Sequence, residues 1–228
     1  EIVEFAEENN LVILADEVYQ DNLYGSKFFS FAKAIWDHSN ISLFSFHSTS
    51  KGFYGECGHR GGYFEVRNPF DLDKTNNNLI HILFKQVSVN LCSNTTGQAL
   101  IYLLSSQPEE GSDPYEQFMN EKKAVLENLF SKASIIKDAF KEMEGMECYG
   151  EIGAMYLFPQ MKILPSGKTD FDYCMALLEE TGLTTINGTG FGQKEGTSHL
   201  RIAFLPPKDI LEKVLPEWID FHNRYIRM

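Results

Sequence analysis

The sequence predicts an α/β protein: a parallel-rich sheet with helices, followed by a small C-terminal α+β domain. Three observations lead there. A short, continuous apolar run at 11–15 and a second apolar strand at 43–46 each stop at polar residues, Asp16-Glu17 and His47-Ser48. Such runs mark strands buried on both faces, and the segment between them is long enough for a right-handed crossover joining parallel neighbours. After the stretch QPEEG at 107–111, a strong helical period begins near Asp113. In LRIAFL at 200–205, Leu200, Ile202 and Phe204 share one face of a strand while Arg201 and Ala203 share the other. The expected division is 1–111 for the larger domain and 112–228 for the long helix with the small domain.

Taken in order, residues 1–8 read as the end of an amphipathic helix carrying Ile2, Val3, Phe5 and Ala6, and Glu8-Asn9-Asn10 turns the chain. The two apolar strands follow. Residues 61–66 (GGYFEV) form a third strand, which the tight glycine-rich return sets antiparallel. Helices are expected at 70–90, with Leu79, Ile82, Leu83, Gln86 and Val87 on the apolar face, and at 96–106. The long helix has Asp113 as N-cap, Pro114 in its first turn and Glu116 three residues after the cap. Its apolar positions run from Tyr115 through Phe118, Val125, Leu129, Ala133, Ile136 and Phe140 to Met143, and Gly145 ends it. Strands are expected near 146–149 and 154–158, then a helix at 171–180 capped by Asp170 and closed by Gly182. Short strands near 184–187 and 199–205 precede a last helix bearing Leu211, Val214, Leu215, Trp218 and Phe221. Pro216 inside it is expected to kink or restart the helix.

Composition narrows the function. The net charge of −12 argues against a nucleic-acid footprint or attachment to anionic membranes. No apolar run approaches the roughly 20 residues that span a bilayer. The four cysteines (Cys57, Cys92, Cys148, Cys174) have neither metal-ligand spacing nor the density of a disulfide framework, so a reduced, cytoplasmic setting is expected. The chain opens at Glu1, inside a helix without a cap, which suggests the C-terminal portion of a longer protein.

The most informative stretch is FHSTSKGFYGECGHRGGY at 46–63. A buried strand runs into Ser/Thr residues and a lone Lys51; Gly52, Gly55, Gly58, Gly61 and Gly62 follow, with Arg60 among them. Glycines let backbone approach a ligand closely, and the hydroxyls and guanidinium supply donors for a phosphate. Because the strands end at one edge, and ligands of open α/β sheets sit beyond the carboxyl ends of strands, Asp16, Tyr19, Ser48 and Lys51 should gather at one rim.

This stretch resembles the lysine segment of the fold-type-I pyridoxal-phosphate-dependent aminotransferases, class I/II. LADEVYQDNLY at 14–24, GAMYLFP at 153–159 and GFGQKEGTSHLRIAFLPP at 190–207 agree with the family in its order along the chain, and the wording is nearest to its alanine-using members. The resemblance implies transfer of an amino group between L-alanine and 2-oxoglutarate with pyridoxal 5'-phosphate as cofactor, in a homodimer. It implies that Lys51 carries the cofactor's aldehyde and then serves as the base, and that Asp16 pairs with the pyridine nitrogen. Tyr19 would donate to the phenolic oxygen, Ser48 and Arg60 anchor the phosphate, and Arg201 grip the substrate's α-carboxylate. Ser50 is a weaker phosphate candidate; His47 and His59 read as packed or solvent-facing. The family's upstream phosphate loop, ring-stacking aromatic and asparagine have no counterpart here, so the segment alone should bind the cofactor poorly. A glyoxylate-using transaminase and a non-catalytic assembly module remain as alternatives.

Overall fold

A computed structural model describes residues 1–38, 40–72 and 78–228. The chain forms two compact units, Glu1–Asn120 and Glu121–Met228, and the division falls inside one long helix.

In the first unit, helix α1 (Ile2–Glu8) leads to strand β1 (Ile13–Asp16), and a single-turn helix α2 (Phe31–Ala34) precedes β2 (Leu43–Ser48). β1 and β2 pair in parallel, Ile13 opposite Leu43 and Asp16 opposite Phe46, and β3 (Gly62–Arg67) returns antiparallel on β2. One face of this sheet is a core: Ile13, Ala15 and Leu43 pack with Val3 and Ala6 of α1 and with Ile35 and Ile41, backed by Phe31, Ala32 and Ala34. The opposite face departs from the expected burial on both sides. Leu14 is 68% exposed, and Phe44, Phe46 and Phe64 form a ladder of rings with centroids 5.7–6.4 Å apart. A continuous apolar run encodes two apolar faces; it does not say that each is covered.

Helices α3 (Leu79–Ser88) and α4 (Thr95–Ser105) follow in the same unit, each opened by an asparagine: Asn78 accepts from the amide of His81, and Asn94 from that of Thr96. The helix expected over 70–90 therefore starts later. Asp71 and Asn78 instead form an isolated antiparallel bridge, and 73–77 lie outside the described residues. No residue of α3 is buried, the expected face included.

Helix α5 (Asp113–Phe140) begins at Asp113. It buries Leu129, Ala133, Ile136 and Phe140, as the period predicts, and also Lys132, whose Nζ donates to the carbonyl of Leu205 at 3.0 Å. The helix stops at Phe140; Gly145, at φ 74°, closes the turns that follow. Short strands β4 (Met146–Glu147) and β6 (Gln160–Met161) pair with each other. Strands β5 (Tyr156–Leu157) and β7 (Ile186–Asn187) flank β8 (Leu200–Ala203), all antiparallel. Leu200, Ile202 and Phe204 all point inward, as their alternation predicts.

Helix α6 (Asp170–Thr181) corrects one expectation. Its cap is Thr169, locked with Asp172 in a reciprocal capping box, while Gly182 ends it in the left-handed conformation as expected. Helix α7 (Lys208–Tyr225) runs uninterrupted through Pro216, with no restart, and buries Leu211, Leu215, Trp218 and Phe221.

Candidate active site

The parallel pairing of β1 and β2 sends both strands out at one edge, and the polar residues that end them follow. Asp16 ends β1, exposed, and Ser48 ends β2 two residues past Asp16's partner Phe46. Beyond Asp16 the chain turns tightly, the amide of Asn22 bonding the carbonyl of Tyr19 at 2.9 Å. Beyond Ser48 it enters the glycine-rich loop. The Lys51 ammonium lies over the Tyr19 ring, 5.8 Å from its centroid, so these two predicted residues meet. A cation at this range is attracted by the negative face of the ring.

The loop is held by a residue that sequence reasoning passed over. Thr49 is fully buried. Its amide and its hydroxyl both donate to the carbonyl of Gly61 at 3.0 Å, and its carbonyl accepts from the amide of Glu56 at 2.8 Å. One threonine thus ties the two ends of the lysine loop together. Ser48 Oγ accepts from the amide of Ser50 at 3.1 Å. Arg60, in the left-handed conformation at φ 51°, aims its guanidinium back along the loop, donating to the Cys57 carbonyl at 3.0 Å and to the Ser50 hydroxyl at 3.5 Å. Ser48, Ser50 and Arg60 therefore form one connected donor group. A guanidinium carries five N–H donors, so these two bonds leave others for an anion.

Lys51 and Ser48 line an open cleft together with Val18, Asp21, His47, Tyr54 and Tyr63, closed on one side by Ile101 and Leu104 of α4. Burial, and then the Asp21 carboxylate, push the Tyr54 hydroxyl above the usual phenol range; burial does the same for Tyr63, helped by Glu65 and Glu17. Both stay neutral donors at physiological pH. His47 stacks on Tyr63 at 5.1 Å, across a register pair of β2 and β3. The buried Glu17 carboxylate lies 3.9 Å from His47 and accepts from the Ser30 hydroxyl and the Phe31 amide at the start of α2. His59 is exposed beside Glu56.

In the second unit, Arg201 projects from β8 between two rings, its guanidinium carbon 4.6 Å from the Tyr156 centroid and 4.7 Å from that of Phe191. GAMYLFP supplies the first ring, and the second stands at the start of the same motif that carries the arginine, so two of the quoted motifs meet at Arg201. Among the described residues no group of three or more His, Cys, Asp or Glu is placed to hold a metal ion. No described helix is long and apolar enough to cross a membrane.

The fold of this chain is that of solved aminotransferases. The fold is shared with an alanine aminotransferase from Pyrococcus furiosus (TM-score 0.80, 24% identity, 98% of this chain and 52% of that one). It is shared equally with an aminotransferase from Escherichia coli (TM-score 0.79, 24% identity, 100% of this chain and 53% of that one). Residues 1–215 match the family Aminotransferase class I and II. Among curated proteins, alanine aminotransferase 2 of Xenopus tropicalis is 43% identical over 99% of this chain and 45% of its own. Human alanine aminotransferase 1 is 41% identical over 98% of this chain and 47% of its own. The chain belongs to the class I and II aminotransferase family. It spans about half the length of the curated relatives it matches.

Proposed function

We propose that this chain serves an alanine aminotransferase activity, exchanging the amino group between L-alanine and 2-oxoglutarate with pyridoxal 5'-phosphate as cofactor. The observation that supports it best is the meeting of Lys51 with Tyr19 at the rim where Asp16 and Ser48 end parallel neighbours, in a chain about 40% identical to proteins named alanine aminotransferase. A homodimer acting on small amino acids and 2-oxo acids goes with this reading. The four free cysteines fit a reducing compartment. Cytosol and organelle matrix both qualify, since an Arabidopsis thaliana relative is named mitochondrial.

The donor set fits that cofactor: an amine for an aldehyde, a carboxylate for a protonated ring nitrogen, and a hydroxyl–guanidinium group for a phosphate. When bound, pyridoxal phosphate supplies the carbonyl that takes the amino group and the ring that accommodates the electron pair released at Cα. Lys51 Nζ would hold the aldehyde carbon and, displaced by substrate, take the proton from the substrate's Cα. Asp16 would hold the ring-nitrogen proton in place through its opposite charge. Tyr19 would donate to the phenolic oxygen. Ser48 and Arg60 would bind the phosphate, where a fixed planar charge favours two-point contact. Arg201 would bind the substrate's α-carboxylate.

Incubation of the purified full-length protein with pyridoxal phosphate, borohydride reduction and peptide mass mapping should place the adduct at Lys51 and lose it in Lys51→Ala. An adduct retained in that variant at wild-type level removes Lys51 from the role. Transfer rates with pyruvate and with glyoxylate as acceptors should favour pyruvate; a glyoxylate preference overturns the alanine assignment.

A further inference from the structure

Asp170 is 3% exposed yet does not cap α6, because Thr169 and Asp172 fill that role. Its carboxylate instead gathers donors from the glycine-rich turn at Gly188–Phe191. The Thr189 amide donates at 2.8 Å, the Thr189 hydroxyl at 2.7 Å and 2.9 Å, and the Gln193 amide group at 2.9 Å; the Phe171 amide adds a fourth donor at 3.0 Å. Apart from the adjacent Phe171 amide, every donor to this buried carboxylate comes from that turn or from Gln193 just after it, so Asp170 acts as a latch for the turn.

What the latch holds is Phe191, one of the two rings that flank Arg201. A second path closes on the same ring. Gln193 Oε1 meets His199 Nδ1 at 2.9 Å, His199 stacks on Phe158 at 5.0 Å, and Phe158 meets Phe191 edge-on at 5.7 Å. The turn is seated tightly as well: a Cβ on Gly188 would lie 2.9 Å from the carbonyl oxygen of His199.

We propose that Asp170 is a positioning residue for Arg201, acting through Thr189, Gln193 and Phe191 to hold the guanidinium preset for a substrate carboxylate. This rests on the reading of Arg201 given above. The negative charge is needed because only an acceptor with two free oxygens can serve the turn's donors together; an asparagine of equal volume replaces one acceptor with a donor.

Asp170→Asn, Arg201→Lys and the double variant should be compared by steady-state kinetics of the purified full-length, cofactor-loaded protein with L-alanine and 2-oxoglutarate. In Asp170→Asn, KM for both carboxylate substrates is expected to rise about tenfold with kcat nearly unchanged, short of the roughly hundredfold that an ångström of misplacement costs. In the Arg201→Lys background the same change should add nothing, since both act on one interaction. The Arg201 Nε resonance in arginine-labelled protein should shift or broaden in Asp170→Asn, with or without cofactor. Unchanged KM values in a folded Asp170→Asn protein, or full additivity with Arg201→Lys, overturn the proposal. If Asp170→Asn does not fold, Thr189→Val provides the same comparison, with a smaller rise expected and none overturning it. Unchanged KM in Arg201→Lys would instead defeat the reading of Arg201 itself.

Discussion

Gly61 in the lysine loop and Gly97 in α4 are packed backbone against backbone. A Cβ built on Gly61 would lie 2.7 Å from the Gly97 carbonyl oxygen, and one built on Gly97 would lie 2.9 Å from Gly61 Cα and 3.0 Å from the His59 carbonyl oxygen. Asn94 reinforces the contact, capping α4 while its amide group donates to the His59 carbonyl at 2.6 Å. The first turn of α4 thus braces the loop that carries Lys51 and Arg60.

Gly97→Ala therefore sets two effects against each other. Alanine in a helix is favoured over glycine by about 1 kcal/mol. Overpacking against a backbone that cannot rotate away costs about 1–3 kcal/mol. The clash should win, and the urea midpoint should fall with the slope unchanged. A stabilised Gly97→Ala protein would show that loop and helix do not meet this closely.

Much of this architecture was readable where the signal is local. The apolar runs before Asp16 and Ser48 locate two strands, and the glycines before Tyr63 announce the antiparallel return. The alternation in β8 separates Arg201 from the core residues Leu200 and Ile202. What escaped depends on contacts distant in sequence. Gly97 reads as an indifferent helix residue until Gly61 lies against it. Thr49 reads as one hydroxyl among several until Gly61 accepts its bonds. Asp170 looks like a cap because TDFD offers several acceptors in a row; only the turn at Thr189 decides which of them is diverted.

Arg201→Lys should not behave as a conservative change. The guanidinium carbon lies within 4.7 Å of the centroids of both the Tyr156 and Phe191 rings, and on the reading proposed above its remaining N–H groups serve a carboxylate. An ammonium is a point charge that neither stacks as a plane nor makes paired bonds. Loss of a charged hydrogen bond worth about 1.5–3 kcal/mol predicts a KM increase of roughly 10- to 100-fold for both substrates. Comparable KM values for Lys and Arg would remove Arg201, and the two rings with it, from substrate recognition.

Pro216 sits at an exposed position of α7, which continues through it. Proline deprives the preceding turn of one amide donor and crowds the carbonyl four residues back. Pro216→Ala should therefore stabilise the protein, by up to about 3 kcal/mol on helix propensity alone, seen as a higher thermal midpoint. A fall in the midpoint would mean that the proline's constraint on the unfolded chain outweighs its helical cost.

Acid should weaken the second unit through His222. This imidazole is fully buried, as is Tyr173. Trp218 Nε1 donates to the Tyr173 hydroxyl at 2.9 Å, and the indole can only donate. The tyrosine proton is therefore left for His222 Nδ1, 2.9 Å away, and His222 Nε2 donates to the Glu144 carbonyl at 2.9 Å. That chain requires a neutral histidine, and burial holds its pKa below the usual 6.5. The unfolded chain thus takes up a proton at higher pH than the folded one. The stability this group confers is complete above about pH 6.5 and is lost as pH falls below it. Urea midpoints measured from pH 8 to pH 5 should decline in the wild type and decline less in His222→Gln. Tyr173→Phe, which strands the Trp218 donor and the His222 acceptor, should cost roughly 1–3 kcal/mol at pH 8, where no titration is involved. Equal acid sensitivity in wild type and His222→Gln would place the pH response elsewhere in the protein.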